Sequence, residues 1–337
     1  MASLKKKRKR QRPLDPLIAA LDWARYRVGE FCMRGFVRLL PWLPAGFLAA
    51  VTSAAGRATF FLLWRYRLRM EQNLALAMAD ELPSRAERMA VVRRAWRNFA
   101  QGILETTRFM HAPKEQICAT VAIEGEEHLK RALAKGRGVI ALSAHLGNFT
   151  IIGVRLGASG YPFTALVKQP RDPRFAGLID DYRLRAGVRT ISAKPRREAV
   201  RGLLKALRAN HVLLIIADEF KSGGVPVEFF GLRSPAPRGP ATLALRTGAA
   251  TVPMFVTRDA RDRLTLRIEP EIELVQSGDR EQDVADNTVR FTRHLEAMIR
   301  RYPDQWNWLG FQRGGGKPRR GKRKPQPEER ASTDAAL

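Results

Sequence analysis

Gly138-Val139-Ile140-Ala141-Leu142-Ser143-Ala144-His145-Leu146-Gly147-Asn148-Phe149-Thr150 is the stretch on which the fold turns. It begins as an unbroken apolar run, residues 139–142, the pattern of a strand buried on both faces. His145 and a Gly-Asn pair end the run, and residues 151–156 then read as the start of a helix. A strand that feeds directly into a helix belongs to a parallel sheet with helical crossovers. The histidine therefore stands just past a strand's C-terminal end, where such sheets gather their ligands and where a general base is exposed.

Outward from this unit the pattern recurs. Residues 163–167, 212–216 and 252–256 read as further strands, and 264–268, which alternate, as an edge strand. Helical segments at 175–185, 196–209 and 238–247 lie between them. The fold class is α/β, a mostly parallel central sheet flanked by helices. Residues 67–110 are helical by pattern. Leu68, Asn73, Leu74, Leu76 and Ala77 share one face, and Ser84 with Glu87 three residues on is a capping box. Met89, Val92, Trp96, Phe99 and Ile103 follow at helical spacing and read as core. Residues 43–64 are about long enough to cross a bilayer. Arg57 interrupts them and Ser, Thr and Gly dilute them, so they read as interfacial helices. No clean apolar core precedes a small-residue cleavage site, and retention in the cytoplasm is the expectation.

The 337-residue chain is 45% hydrophobic and carries a net charge of +27. Seven cations between Lys5 and Arg12 and seven more between Arg313 and Lys324, with no acid among them, supply about half of that surplus. Their Gly, Pro and Lys content resists folding. The division that follows is a basic tail at 1–16, a membrane-associated helical extension at 17–112, an α/β core at 113–313 and a second basic tail at 314–337. A basic tail beside amphipathic helices fits an anionic membrane surface, each cation contributing on the order of 1 kcal/mol. No recognition helix, zinc finger or aromatic platform points to specific nucleic-acid binding. Cys32 and Cys118, in no metal-ligand spacing, read as reduced, buried thiols. The five histidines are scattered, and no metal or cofactor is expected.

His145-Leu146-Gly147-Asn148-Phe149-Thr150 resembles the motif of the late acyltransferases of lipid A biosynthesis, within the lysophospholipid acyltransferase superfamily, whose signature is His, four residues, then Asp or Glu. Similar blocks follow in order: Lys168 to Arg174, Tyr182 to Gly187, Asp218-Glu219-Phe220 with the segment Val225 to Gly231, and Pro303 to Trp308. The resemblance implies transfer of a fatty acyl chain from a thioester, commonly on acyl carrier protein and otherwise on acyl-CoA, to a hydroxyl of a membrane glycolipid such as a lipid A precursor, at the cytoplasmic face of the bacterial inner membrane. On that reading His145 takes the hydroxyl proton. Asn148, Thr150, Arg171, Arg174, Arg183 and Arg185 become candidates for holding substrate, the arginines for its phosphates.

One departure stands out. Thr150 occupies the place of the signature acid. Asp218 and Glu219, which follow the strand at 212–216 and so fall on the same sheet edge as His145, are the candidate replacements. The alternative is a non-catalytic member of the fold that binds lipid or a partner.

Overall fold

The computed structural model describes residues 15–220 and 223–311. The basic runs at 5–12 and 313–324 lie outside the described residues, while Asp15 and Pro16, assigned above to the first tail, open a helix.

Four helices form the N-terminal layer: α1 (Asp15–Leu39), α2 (Ala45–Leu62), α3 (Trp64–Ala77) and α4 (Arg85–Phe109). The capping box forms as expected. The Glu87 backbone N–H donates to Ser84 Oγ at 3.1 Å, and the Ser84 N–H donates to the Glu87 carboxylate at 3.0 Å. On α3, Asn73, Leu74 and Ala77 turn inward, but Leu76 is exposed and does not share their face. On α4 the expected core stripe is corrected more strongly: Phe99 is 68% and Ile103 58% exposed. The helix instead presents the neighbouring stripe, Val91, Ala95, Asn98, Gly102, Glu105 and Phe109. Its small and polar members permit close approach and give no apolar signal. Among the described residues no single helix is long and apolar enough to cross a membrane; α2 and α3 meet the length and composition only as a pair bent by 80°. Cys32, on α1, is exposed and Cys118 half-buried, so the expectation of two buried thiols fails. Both are free.

The remainder alternates: α5 (Lys114–Thr120), β1 (Val121–Glu124), α6 (Glu126–Ala134), β2 (Val139–Ser143), α7 (Thr150–Ala158), β3 (Phe163–Val167), α8 (Pro173–Arg185), β4 (Val188–Ser192), α9 (Arg196–Arg208) and β5 (Val212–Ile216). Then come the hairpin β6 (Val225–Phe229) and β7 (Leu232–Ala236), α10 (Gly239–Thr247), β8 (Ala250–Arg258), β9 (Leu264–Ile268) and α11 (Arg280–Arg301). Seven strands make one sheet in the order β1-β9-β8-β2-β5-β3-β4, parallel except where β9 runs against β8. β9 is thus not an edge strand, because the short β1 pairs along its outer side. Every residue of β2 is buried, as its unbroken apolar run requires.

The β2–β5 register decides what meets at the sheet's C-terminal edge. Ser143 pairs with Ile216, and the Ala217 N–H donates to the Ser143 carbonyl at 2.9 Å. Two residues further along each strand stand His145 and Asp218.

Candidate active site

His145 and Asp218 meet through two bonds. Asp218 Oδ1 lies 2.8 Å from His145 Nδ1, and Asp218 Oδ2 accepts the His145 backbone N–H at 2.8 Å. The Trp306 indole N–H also donates to Oδ2, at 2.8 Å. An ionised carboxylate only accepts, so the proton in the first contact belongs to Nδ1, and Nε2 is the nitrogen directed elsewhere. The Asp218 side chain is 2% exposed, whereas that of His145 is 32% exposed. Three donors around a buried carboxylate fix its orientation and with it the imidazole's. Phe149 adds an edge-to-face contact to the ring, 5.0 Å between centroids.

The loop is held as tightly as the side chains. Leu146 pairs antiparallel with Trp306, the Gly147 N–H donates to the Gln305 carbonyl at 2.7 Å, and the Asn307 N–H donates to the His145 carbonyl at 3.2 Å. Gly147 has φ +55°, and a Cβ there would stand 1.8 Å from the Val256 carbonyl oxygen, so no side chain fits. Trp306 is itself anchored in an aromatic cluster with Phe229, Phe230, Trp308 and Phe311. Here Val225 to Gly231 forms β6 and the tight turn into β7, with Phe230 and Gly231 at positive φ between the two strands.

A cleft of about 430 Å³ opens beside His145. Its walls are mostly apolar, with Leu63, Tyr66, Met70, Trp96 and Phe99 from α3, α4 and the turn before them, while His145, Asn148, Arg258, Gln305 and Asn307 are among its polar lining residues. The shape suits a long hydrocarbon chain with a polar group at the imidazole.

Of the residues expected from sequence, His145 and Asp218 are brought together. Glu219 is exposed. Thr150 Oγ1 lies 2.6 Å from both Asn148 Oδ1 and Thr106 Oγ1. Asn148 donates to the Gly102 carbonyl at 3.0 Å and to Glu105 at 3.2 Å. These two side chains spend their bonds tying the loop to α4, although Asn148 also lines the cleft. The four arginines do not line it. Arg174 pairs with Glu30 of α1 at 3.3 Å and Arg183 with Asp180 at 3.2 Å, while Arg171 and Arg185 are exposed. Sequence reasoning missed Trp306, Glu105 and Arg258. Trp306 was visible only as part of a family block, and the other two carry no local signal.

The chain belongs to the bacterial lipid A biosynthesis acyltransferase family, whose model matches residues 20–312. It is 30% identical over 185 residues to the phosphatidylinositol mannoside acyltransferase of Mycolicibacterium smegmatis, covering 54% of this chain and 59% of that protein. The match to the Mycobacterium tuberculosis enzyme of the same name is also 30% identical and covers 58% of it, so the chain spans about three fifths of the length of these relatives. It is 23% identical over 281 residues to the lipid A biosynthesis lauroyltransferase of Escherichia coli, covering 82% of this chain and 88% of that protein.

Proposed function

We propose that this protein is an O-acyltransferase that moves a fatty acyl chain from a thioester, on acyl carrier protein or coenzyme A, to a hydroxyl of a membrane glycolipid such as a lipid A precursor or a mannosylated phosphoinositide. The observation that carries the reading is the His145–Asp218 pair, with His145 in the wall of a mostly apolar cleft. The acyl chain lies along Met70, Trp96 and Phe99, which brings the thioester carbonyl to the imidazole. His145 Nε2 takes the proton of the acceptor hydroxyl as its oxygen attacks the carbonyl carbon. Asp218 holds the Nδ1–H tautomer and stabilises the imidazolium that forms. The tetrahedral intermediate then collapses, the C–S bond breaks, and the proton on Nε2 passes to the departing thiolate. The products are an ester and a free thiol.

Location at the cytoplasmic face of the inner membrane is part of the same proposal. It is supported by the exposed apolar side chains of the N-terminal layer, among them Trp23, Phe31, Trp42, Phe61 and Trp64. Exposed apolar side chains in this number suit the membrane interface, and the basic runs at 5–12 and 313–324 suit anionic headgroups. The non-catalytic reading rested on Thr150. With Asp218 bonded to the histidine, nothing specific favours it. The test is to supply acyl carrier protein and coenzyme A thioesters to the purified chain in glycolipid-containing vesicles and follow thiol release and acylated lipid together. Thiol release with no acylated lipid would make it a hydrolase, and neither product would remove the reading.

A further inference from the structure

We propose that Glu105 and Arg258 are positioning residues for His145, joined in a closed ring of bonds that fixes the Gly147-Asn148 turn; the inference rests on the acyl-transfer reading for its effect on rate. Each link is explicit. The Gly147 N–H donates to the Gln305 carbonyl at 2.7 Å. The Gln305 side chain clasps the Arg258 backbone at both ends, accepting its N–H at 2.8 Å and donating to its carbonyl at 2.7 Å. The Arg258 guanidinium donates to Glu105 Oε1, and the other Glu105 oxygen accepts from Asn148 Nδ2 at 3.2 Å. Asn148 follows Gly147 in the chain, which closes the circuit.

Three features make this more than a set of surface bonds. The Arg258 side chain is 7% and that of Glu105 20% exposed, so neither charge is well hydrated without the other. The Asn148 amide is saturated: Nδ2 also donates to the Gly102 carbonyl, and Oδ1 accepts from Thr106 at 3.0 Å and Thr150 at 2.6 Å. Asn148 and Arg258 both line the cleft at His145, so slack in the ring is felt where the thioester lies.

The test uses the full chain and the variants Glu105→Gln, Arg258→Met and the two combined. Three quantities are followed: kcat and KM for the acyl thioester, the thermal midpoint, and the rate at which diethyl pyrocarbonate modifies His145, read by peptide mass spectrometry. Each single variant is expected to lower kcat by about 10²-fold, the usual effect of a misplacement near 1 Å. KM should move by less than about threefold and His145 modification should accelerate, because the donor still binds but the turn is loose. Opening a ring at a second link adds little, so the double variant should lie within about twofold of the worse single one. Losses that multiply in the double variant, or an unchanged modification rate in both single variants, would overturn the proposal. If the wild-type chain releases no thiol, the acyl-transfer reading fails on its own, and the ring is judged by the modification rates.

Discussion

The C-terminal edge of the sheet and the N-terminal helical layer use the same side chains to opposite ends. Along β2 an unbroken apolar run became a fully buried central strand. Along α4, Phe99 and Ile103, at the same helical spacing as the partly or wholly buried Met89, Val92 and Trp96, stand in the open. The difference lies in what covers each face. A parallel strand is covered on both sides by its own crossover helices, so apolar content and burial coincide. The helical layer has the sheet on one side only. Apolar spacing tells which residues share a face, and says nothing about whether protein or lipid lies against it.

Breaking the sheet edge should cost the most. His145→Ala is expected to lower turnover by at least about 10³-fold with the thermal midpoint unchanged, since the side chain is partly exposed and leaves no core cavity. A retained rate in a thiol-release assay would end the mechanism. Trp306→Phe keeps most of the aromatic packing but removes one donor from the buried Asp218 carboxylate. A charged hydrogen bond of this kind contributes about 1.5–3 kcal/mol, so a loss of roughly tenfold to a hundredfold in kcat is expected. Equal activity would show that the other two bonds suffice. On the helical side, Phe99→Ser combined with Ile103→Ser should reduce vesicle binding several-fold and leave stability unchanged, the reverse of what core residues do. A cooperative loss of stability would mean that this face packs against protein. The smallest effect is expected for Thr150→Ala, about threefold or less, because Asn148 keeps its bonds to Gly102, Glu105 and Thr106. Thr150→Glu should do more harm, as its longer charged side chain enters a site where Oγ1 already sits 2.6 Å from two neighbours.

These outcomes also mark what the sequence made legible. β2, β3 and β5 and their crossovers stood out because buried parallel strands are continuous apolar runs. β1 and β4 mix polar residues into exposed positions and give no apolar run, and without β1 the strand β9 looks like an edge. At the site, position after a strand brought out His145 and narrowed the acid to two neighbours. Only the β2–β5 register distinguishes Asp218, which faces the histidine, from Glu219, which is exposed. Glu105, Arg258 and Trp306 make their bonds across separations of 43 to 153 residues and give no pattern along the chain. Arg171, Arg174, Arg183 and Arg185, expected to hold substrate phosphates, do not line the cleft. Arg174 belongs to an ion-pair network with α1, in which Arg27 bonds both Glu30 and the helix-capping Asp172.

The proposed chemistry depends on the carboxylate beside the histidine. The most direct measurement compares Asp218→Asn with Glu219→Gln in the transfer of a labelled acyl chain from thioester to glycolipid in vesicles. Asp218→Asn should retain the fold, judged by its thermal midpoint, and lose about 10³-fold to 10⁴-fold in kcat, because an amide neither enforces the Nδ1–H tautomer nor stabilises the imidazolium. Glu219→Gln should stay within about threefold of wild type, as expected for an exposed charge. A folded Asp218→Asn protein that turns over at the wild-type rate, or a collapse confined to Glu219→Gln, would contradict the account.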